Sequence, residues 1–177
     1  MSTQERKELD ALIKMNGSKS WWAPELFERD IRPHFPTQLT IIAPPLPEAE
    51  NHNCFVYALG LSGDKDIIRE SHGFIYSAFI QHLLNQNLLV KTGNPVPGDL
   101  VFYQDLVNYP SEITHAGILQ PDGFVISKWA WGPLVRHALM DVPASYGDTV
   151  WYVKAPSKED LPRWYEELKS FNTKQES

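Results

Sequence analysis

The order of elements along the chain predicts an α+β fold with a largely antiparallel sheet. Helical patterns fill the first half and short strand patterns the second, with turn signals between consecutive strands. The 177 residues, 42% of them hydrophobic and 12% aromatic, suffice for one domain with a buried core.

Ser2 and Glu5 have the spacing of a capping box, and Leu9, Leu12 and Ile13 recur at helical spacing. These features predict a helix over residues 3–15, closed by Asn16 and Gly17. Six prolines follow between residues 21 and 50 (Pro24, Pro33, Pro36, Pro44, Pro45 and Pro47). Proline lacks a backbone donor and restricts the residue before it. This stretch is therefore expected to be an extended cover with a short helix near 24–30.

Helical spacing resumes after Asn53, through Phe55, Ala58 and Leu59, and stops near residues 60–63. A longer helix is expected from Ser71, with Ile75, Ala78, Phe79 and Leu83 on its buried face and residues 85–87 as its end. Strands are predicted at 100–103, 113–119, 124–126, 134–135 and 149–153, separated by Pro97-Gly98-Asp99, Pro121-Asp122-Gly123 and Tyr146-Gly147-Asp148. Ser157 and Asp160 then introduce a final amphipathic helix carrying Leu161, Trp164, Tyr165 and Leu168. The expected organisation is an N-terminal helix and proline-rich cover (1–50), a core (51–155) and a C-terminal helix of the same domain (156–177).

The net charge is -6 and no lysine/arginine cluster stands out, so nucleic-acid binding has no electrostatic support. The N-terminal stretch is polar, without the apolar run of a signal peptide, and no apolar stretch is long enough to span a bilayer. No membrane partner is expected. A cytoplasmic location follows, with export without a cleaved signal left open. The six histidines form no His-Glu-x-x-His pattern, and no glycine-rich phosphate loop occurs. Neither a metal nor a nucleotide cofactor is expected.

The single cysteine, Cys54, follows Asn53, a good N-cap residue. In the first turn of a helix, its thiolate would be favoured by free N–H groups and the helix dipole, and its pKa is expected below the free value. The same N–H groups could hold an oxyanion. A buried structural cysteine is the competing reading. His115, at the start of a strand, is placed to face such a helix and act as a base, against the alternative of a hydrogen-bonded core histidine.

Asn53-Cys54 opening a helix, a Gly98-Asp99-Leu100-Val101-Phe102 strand and then His115-Ala116-Gly117-Ile118 together resemble the NlpC-type and CHAP cysteine peptidases and amidases. These are permuted relatives of papain. The resemblance covers roughly residues 51–153. It implies a papain-like fold with N-terminal helices packed on the sheet, and an amide or peptide substrate attacked by Cys54 with His115 as base. It also implies a polar residue on the next strand to orient His115, and Ser127 is the best-placed candidate, Lys128 having the wrong charge. Asn51 and Asn53 are candidate oxyanion donors. Trp129 and Trp131 are candidate walls of the substrate site, with core packing as the equal alternative. His137 and Asp141 are expected to pair structurally. A binding module that keeps the fold without activity is the alternative function.

Overall fold

The computed structural model describes residues 1–15, 19–157 and 159–175. The expected helix stop at Asn16 and Gly17 lies outside them. The first helix, α1 (Thr3–Met15), starts on a reciprocal capping box. Ser2 Oγ accepts from the Glu5 N–H at 3.2 Å, and Glu5 Oε2 accepts from the Ser2 N–H at 2.6 Å. Two short helices, α2 (Lys19–Trp22) and α3 (Pro24–Leu26), and a π turn over Phe27–Ile31 follow.

The proline-rich stretch contains a strand that the sequence reading lacks, β1 (Thr40–Ala43). It is an edge strand beside Pro44 and Pro45, where missing donors are tolerated. Next come α4 (Cys54–Ala58), α5 (Lys65–Glu70) and α6 (Ser77–Asn85). The helix expected from Ser71 starts only at Ser77, and α5, which ends at Glu70, is a helix the sequence reading lacks. His72 and Gly73 take φ of 49° and 69° between the two, and no right-handed helix passes through that conformation. Asp64 caps α5, accepting from the Asp66 and Ile67 N–H groups.

The remaining strands are β2 (Lys91–Thr92), β3 (Leu100–Gln104), β4 (His115–Leu119), β5 (Val125–Lys128), β6 (Leu134–His137) and β7 (Thr149–Val153). The chain closes with α7 (Leu161–Gln175), entered through an Asp160 carboxylate that accepts from the Ser157 N–H. All seven strands form one antiparallel sheet in the order β1-β6-β5-β4-β3-β7-β2, so the fold is α+β.

Strand alternation sorts the core into two layers. Leu100, Phe102, Ala116 and Val153 pack under α4, α6 and α7, with Phe55, Phe79, Leu83 and Trp164. Val101, Tyr103, Val125 and Val135 pack on the other face with Leu9, Trp21, Phe27 and Ile31 from the N-terminal segment. Covering both faces of β3 explains why it reads as an unbroken apolar run. Among the described residues, no helix is long and apolar enough to cross a membrane.

Candidate catalytic site

Asn53 caps α4. Its Oδ1 accepts from the Val56 N–H at 3.2 Å, while its Nδ2 donates to the Ile75 carbonyl at 2.8 Å. The Asn53 N–H donates to the Gly73 carbonyl at 2.8 Å, which stitches the approach to Cys54 onto the turn between α5 and α6. Asn51 Nδ2 donates to the Trp131 carbonyl at 2.8 Å, and Asn51 Oδ1 accepts from the His52 N–H. Both asparagines therefore already have structural partners.

The stitch depends on Gly73. A Cβ there would lie 2.1 Å from the Asn51 carbonyl oxygen, on a residue at φ 69°. Gly73→Ala is expected to lose about 2–3 kcal/mol, from the left-handed backbone and the forced separation. Urea denaturation measures this directly.

Cys54 opens α4 and packs onto β4 and β5, in one cluster with Ala116. The backbone N–H groups of Ala116, Phe55 and Cys54 itself favour its thiolate, yet burial outweighs them and pushes the thiol up to about 12. The lowered thiol pKa expected from the sequence is corrected accordingly. Desolvation of a nearly sealed sulfur exceeds what three N–H groups return.

His115 begins β4, but its ring packs with Tyr103 and Tyr146, which belong to the other core layer. It pairs across the ladder with Tyr103, while Ala116 pairs with Phe102 on the Cys54 side. The imidazole thus leaves the strand on the face opposite Ala116. No hydrogen bond joins it to Cys54, and both ring nitrogens are buried without a partner. Burial, with a smaller contribution from His137, holds His115 well below its usual pKa, and therefore neutral. The Cys54–His115 dyad is not assembled in this structure.

Ser127 does not orient His115. Its hydroxyl lies 2.8 Å from His137 Nε2 and accepts from Trp129 Nε1 at 2.9 Å. His137 Nδ1 is 2.8 Å from the Ala138 carbonyl, which can only accept, so Nδ1 carries the hydrogen. Nε2 then accepts from Ser127, and the network is closed. His137 and Asp141 share no hydrogen bond, since the Asp141 carboxylate pairs with the Met1 amino group, but the Asp141 charge still acts on His137 and partly offsets its burial. Ser127→Ala strands Trp129 Nε1 and His137 Nε2 in the core. It is expected to cost about 1–3 kcal/mol of stability, read as a lowered melting temperature.

Trp129 is fully buried against Phe35, His137 and Tyr146, so it is a core residue and not a substrate wall. Trp131 instead forms a wall of two clefts, of about 790 Å³ and 660 Å³. Its Nε1 is buried without a partner, and its ring meets Trp22 edge-on at 6.5 Å. Asn51 lines the larger cleft with Lys65, Arg69 and His72; Cys54 and His115 line neither.

Three residues the sequence reading left out of the site stand beside it. Tyr146 stacks on His115 with centroids 3.9 Å apart and planes 12° apart. Its phenol is held well above its usual pKa by burial, then by Cys54 and Asp10, which places it in the field of the thiol. His137 anchors the network on the same face. Lys128, 2% exposed, donates to the Gly132 carbonyl, and burial pulls its amine down to about 7. A strand pattern marks Lys128 as facing α4, but nothing in the sequence signals Tyr146.

The buried histidines make stability fall with acid. His137 is lowered to about 4 in the fold, against an unfolded value near 6.5. Between those values the unfolded chain binds a proton that the folded chain does not, so unfolding gains from each proton added. His115 acts in the same direction. The unfolding free energy is expected to drop by roughly 1.4 kcal/mol or more per pH unit below pH 6.5, and to level off once the folded histidines protonate. Denaturation series at pH 7, 6 and 5 check this.

The chain matches no protein-family model, no curated protein and no solved structure. Among the described residues, no group of three or more histidine, cysteine, aspartate or glutamate side chains could hold a metal ion.

Proposed function

We propose that the protein is a papain-like, cysteine-dependent hydrolase or acyl transferase acting on an amide bond, with Cys54 as nucleophile and His115 as base. The observation that carries this reading is the unpartnered imidazole of His115. A fully buried histidine with both nitrogens unsatisfied costs stability, and such groups call for an explanation such as catalysis. It directly precedes Ala116, whose N–H favours the Cys54 thiolate.

In the reaction, His115 takes the thiol proton and the sulfur attacks the carbonyl carbon. The amine leaves with the proton from the imidazolium. Water or another acceptor then releases the acyl group from the Cys54 thioester. The Phe55 and Ala116 N–H groups are available to the oxyanion.

The test is turnover on a panel of peptide p-nitroanilides and p-nitrophenyl esters, with Cys54→Ala as the control. Release of chromophore that depends on Cys54 supports the reading, and release that persists in Cys54→Ala contradicts it. A second reading, a non-catalytic binding module, is favoured by the sealing of Cys54 and its raised pKa. It requires that no member of the panel acylate Cys54.

A further inference from the structure

Lys128 is 2% exposed at the end of β5, where the chain turns toward β6. An ammonium carries three donors. The Gly132 carbonyl takes one of them, and among the described residues no carboxylate pairs with the amine. A cation taken out of water without a counter-ion is costly, so an amine in this place calls for an anion that the chain does not itself supply. The same turn carries a second orphan donor, Trp131 Nε1, which is buried without a partner. The turn is held from two sides. Asn51 Nδ2 donates to the Trp131 carbonyl at 2.8 Å, and a Cβ on Gly132 would lie 2.4 Å from the Trp21 ring. Between the two donors Ala130 takes φ of 49°, a conformation that alanine keeps only where its surroundings impose it.

Trp131 and His72 form the wall shared by the two clefts. The smaller cleft, of about 660 Å³, is aromatic, with Phe74, Tyr76 and Phe171 in its lining. Phe74 and Tyr76 are 38% and 67% exposed, with ring centroids 4.8 Å apart. The larger cleft sets Glu48 and Glu50 against Lys65 and Arg69, so its charges cancel and it selects no anion by itself. We infer that the turn from Lys128 to Gly132 recognises the carboxylate of an aromatic organic acid, with Lys128 Nζ and Trp131 Nε1 as its donors and the aromatic body in the cleft lined by Phe74 and Tyr76. Two donors match the two oxygens of a carboxylate, whereas a phosphate would leave at least one oxygen unmet. Exposed rings give the body of such a ligand a flat apolar contact. Binding needs no reaction at Cys54, so the inference stands apart from the proposed catalysis.

The test is calorimetric titration at pH 7 with 3-phenylpropionate and with 3-phenylpropionamide, which keeps the aromatic body and lacks the charge. The acid is expected to bind with a Kd of about 1 mM or tighter, and the amide about tenfold more weakly or worse. Lys128→Met should bring the acid down to the level of the amide and leave the amide unchanged. Trp131→Phe, which keeps a ring in the wall, should weaken the acid several-fold. Without ligand, Lys128→Met should melt at or above the wild-type temperature, because it removes a buried amine that lacks a counter-ion. Equal binding of acid and amide, or binding of neither, overturns the inference. So does a preference for the acid that survives Lys128→Met. Loss of both ligands together with a lowered melting temperature in Lys128→Met also overturns it, because Lys128 then serves the fold and not the ligand.

Discussion

Replacing Trp129 with alanine is expected to destabilise the protein by about 3–5 kcal/mol, the cost of emptying a fully packed aromatic site. The side chain is completely buried, with ring neighbours Phe35, His137 and Tyr146 at 5.6, 5.9 and 6.2 Å. Its indole N–H also donates to Ser127, whose own hydroxyl holds His137. The loss therefore removes packing and one arm of a buried polar network together. At about 2–4 °C per kcal/mol for a chain of this size, the melting temperature should fall on the order of 10 °C. Calorimetry of wild type and variant measures it. A drop below about 1 kcal/mol would mean that Trp129 is not the keystone of the N-terminal layer.

The second large effect concerns chemistry. On the proposed mechanism, His115→Ala and Cys54→Ala should each reduce turnover by roughly a thousandfold or more, because both would remove one half of the same proton-transfer and bond-forming step. The double variant should be no worse than the worse single variant, since residues that act as a unit are not additive. His137→Ala is the informative comparison. It lies in the same layer and perturbs the same face, but it acts on stability through Ser127. Its turnover at temperatures well below melting should stay within a fewfold of wild type. If His137→Ala matched His115→Ala, the imidazole assignment would have to move to β6.

What could be read from the sequence follows from locality. The capping box of Ser2 and Glu5 and the cap of Asn53 are short-range patterns, and both are found as read. The strands from β3 onward are separated by turns with their own chemistry, so they too are legible. β1 is not, because four residues between proline-rich flanks carry too little periodicity. The break between α5 and α6 is hidden in the backbone angles of His72 and Gly73.

The site was less legible than the fold. Asn53-Cys54 announces a helix start by itself. The face on which His115 leaves β4 depends on register, and a single-residue slip reverses it. The partner of Ser127 depends on β6, which pairs Ser127 with Val135 and brings His137 within reach from two residues along. Trp129 and Trp131 look equivalent in sequence, yet one closes the core and the other lines clefts. Tyr146 reaches His115 through tertiary contacts of α1, which no local pattern encodes.

The most direct test of the central claim is the mass of the protein after brief exposure to p-nitrophenyl acetate at neutral pH, with the modified residue located by peptide mapping. The account predicts a single acetyl group on Cys54, formed with a burst of p-nitrophenolate and then lost by hydrolysis, and greatly diminished acylation in His115→Ala. Absence of acylation at Cys54, or acylation at the same rate in His115→Ala, would contradict it.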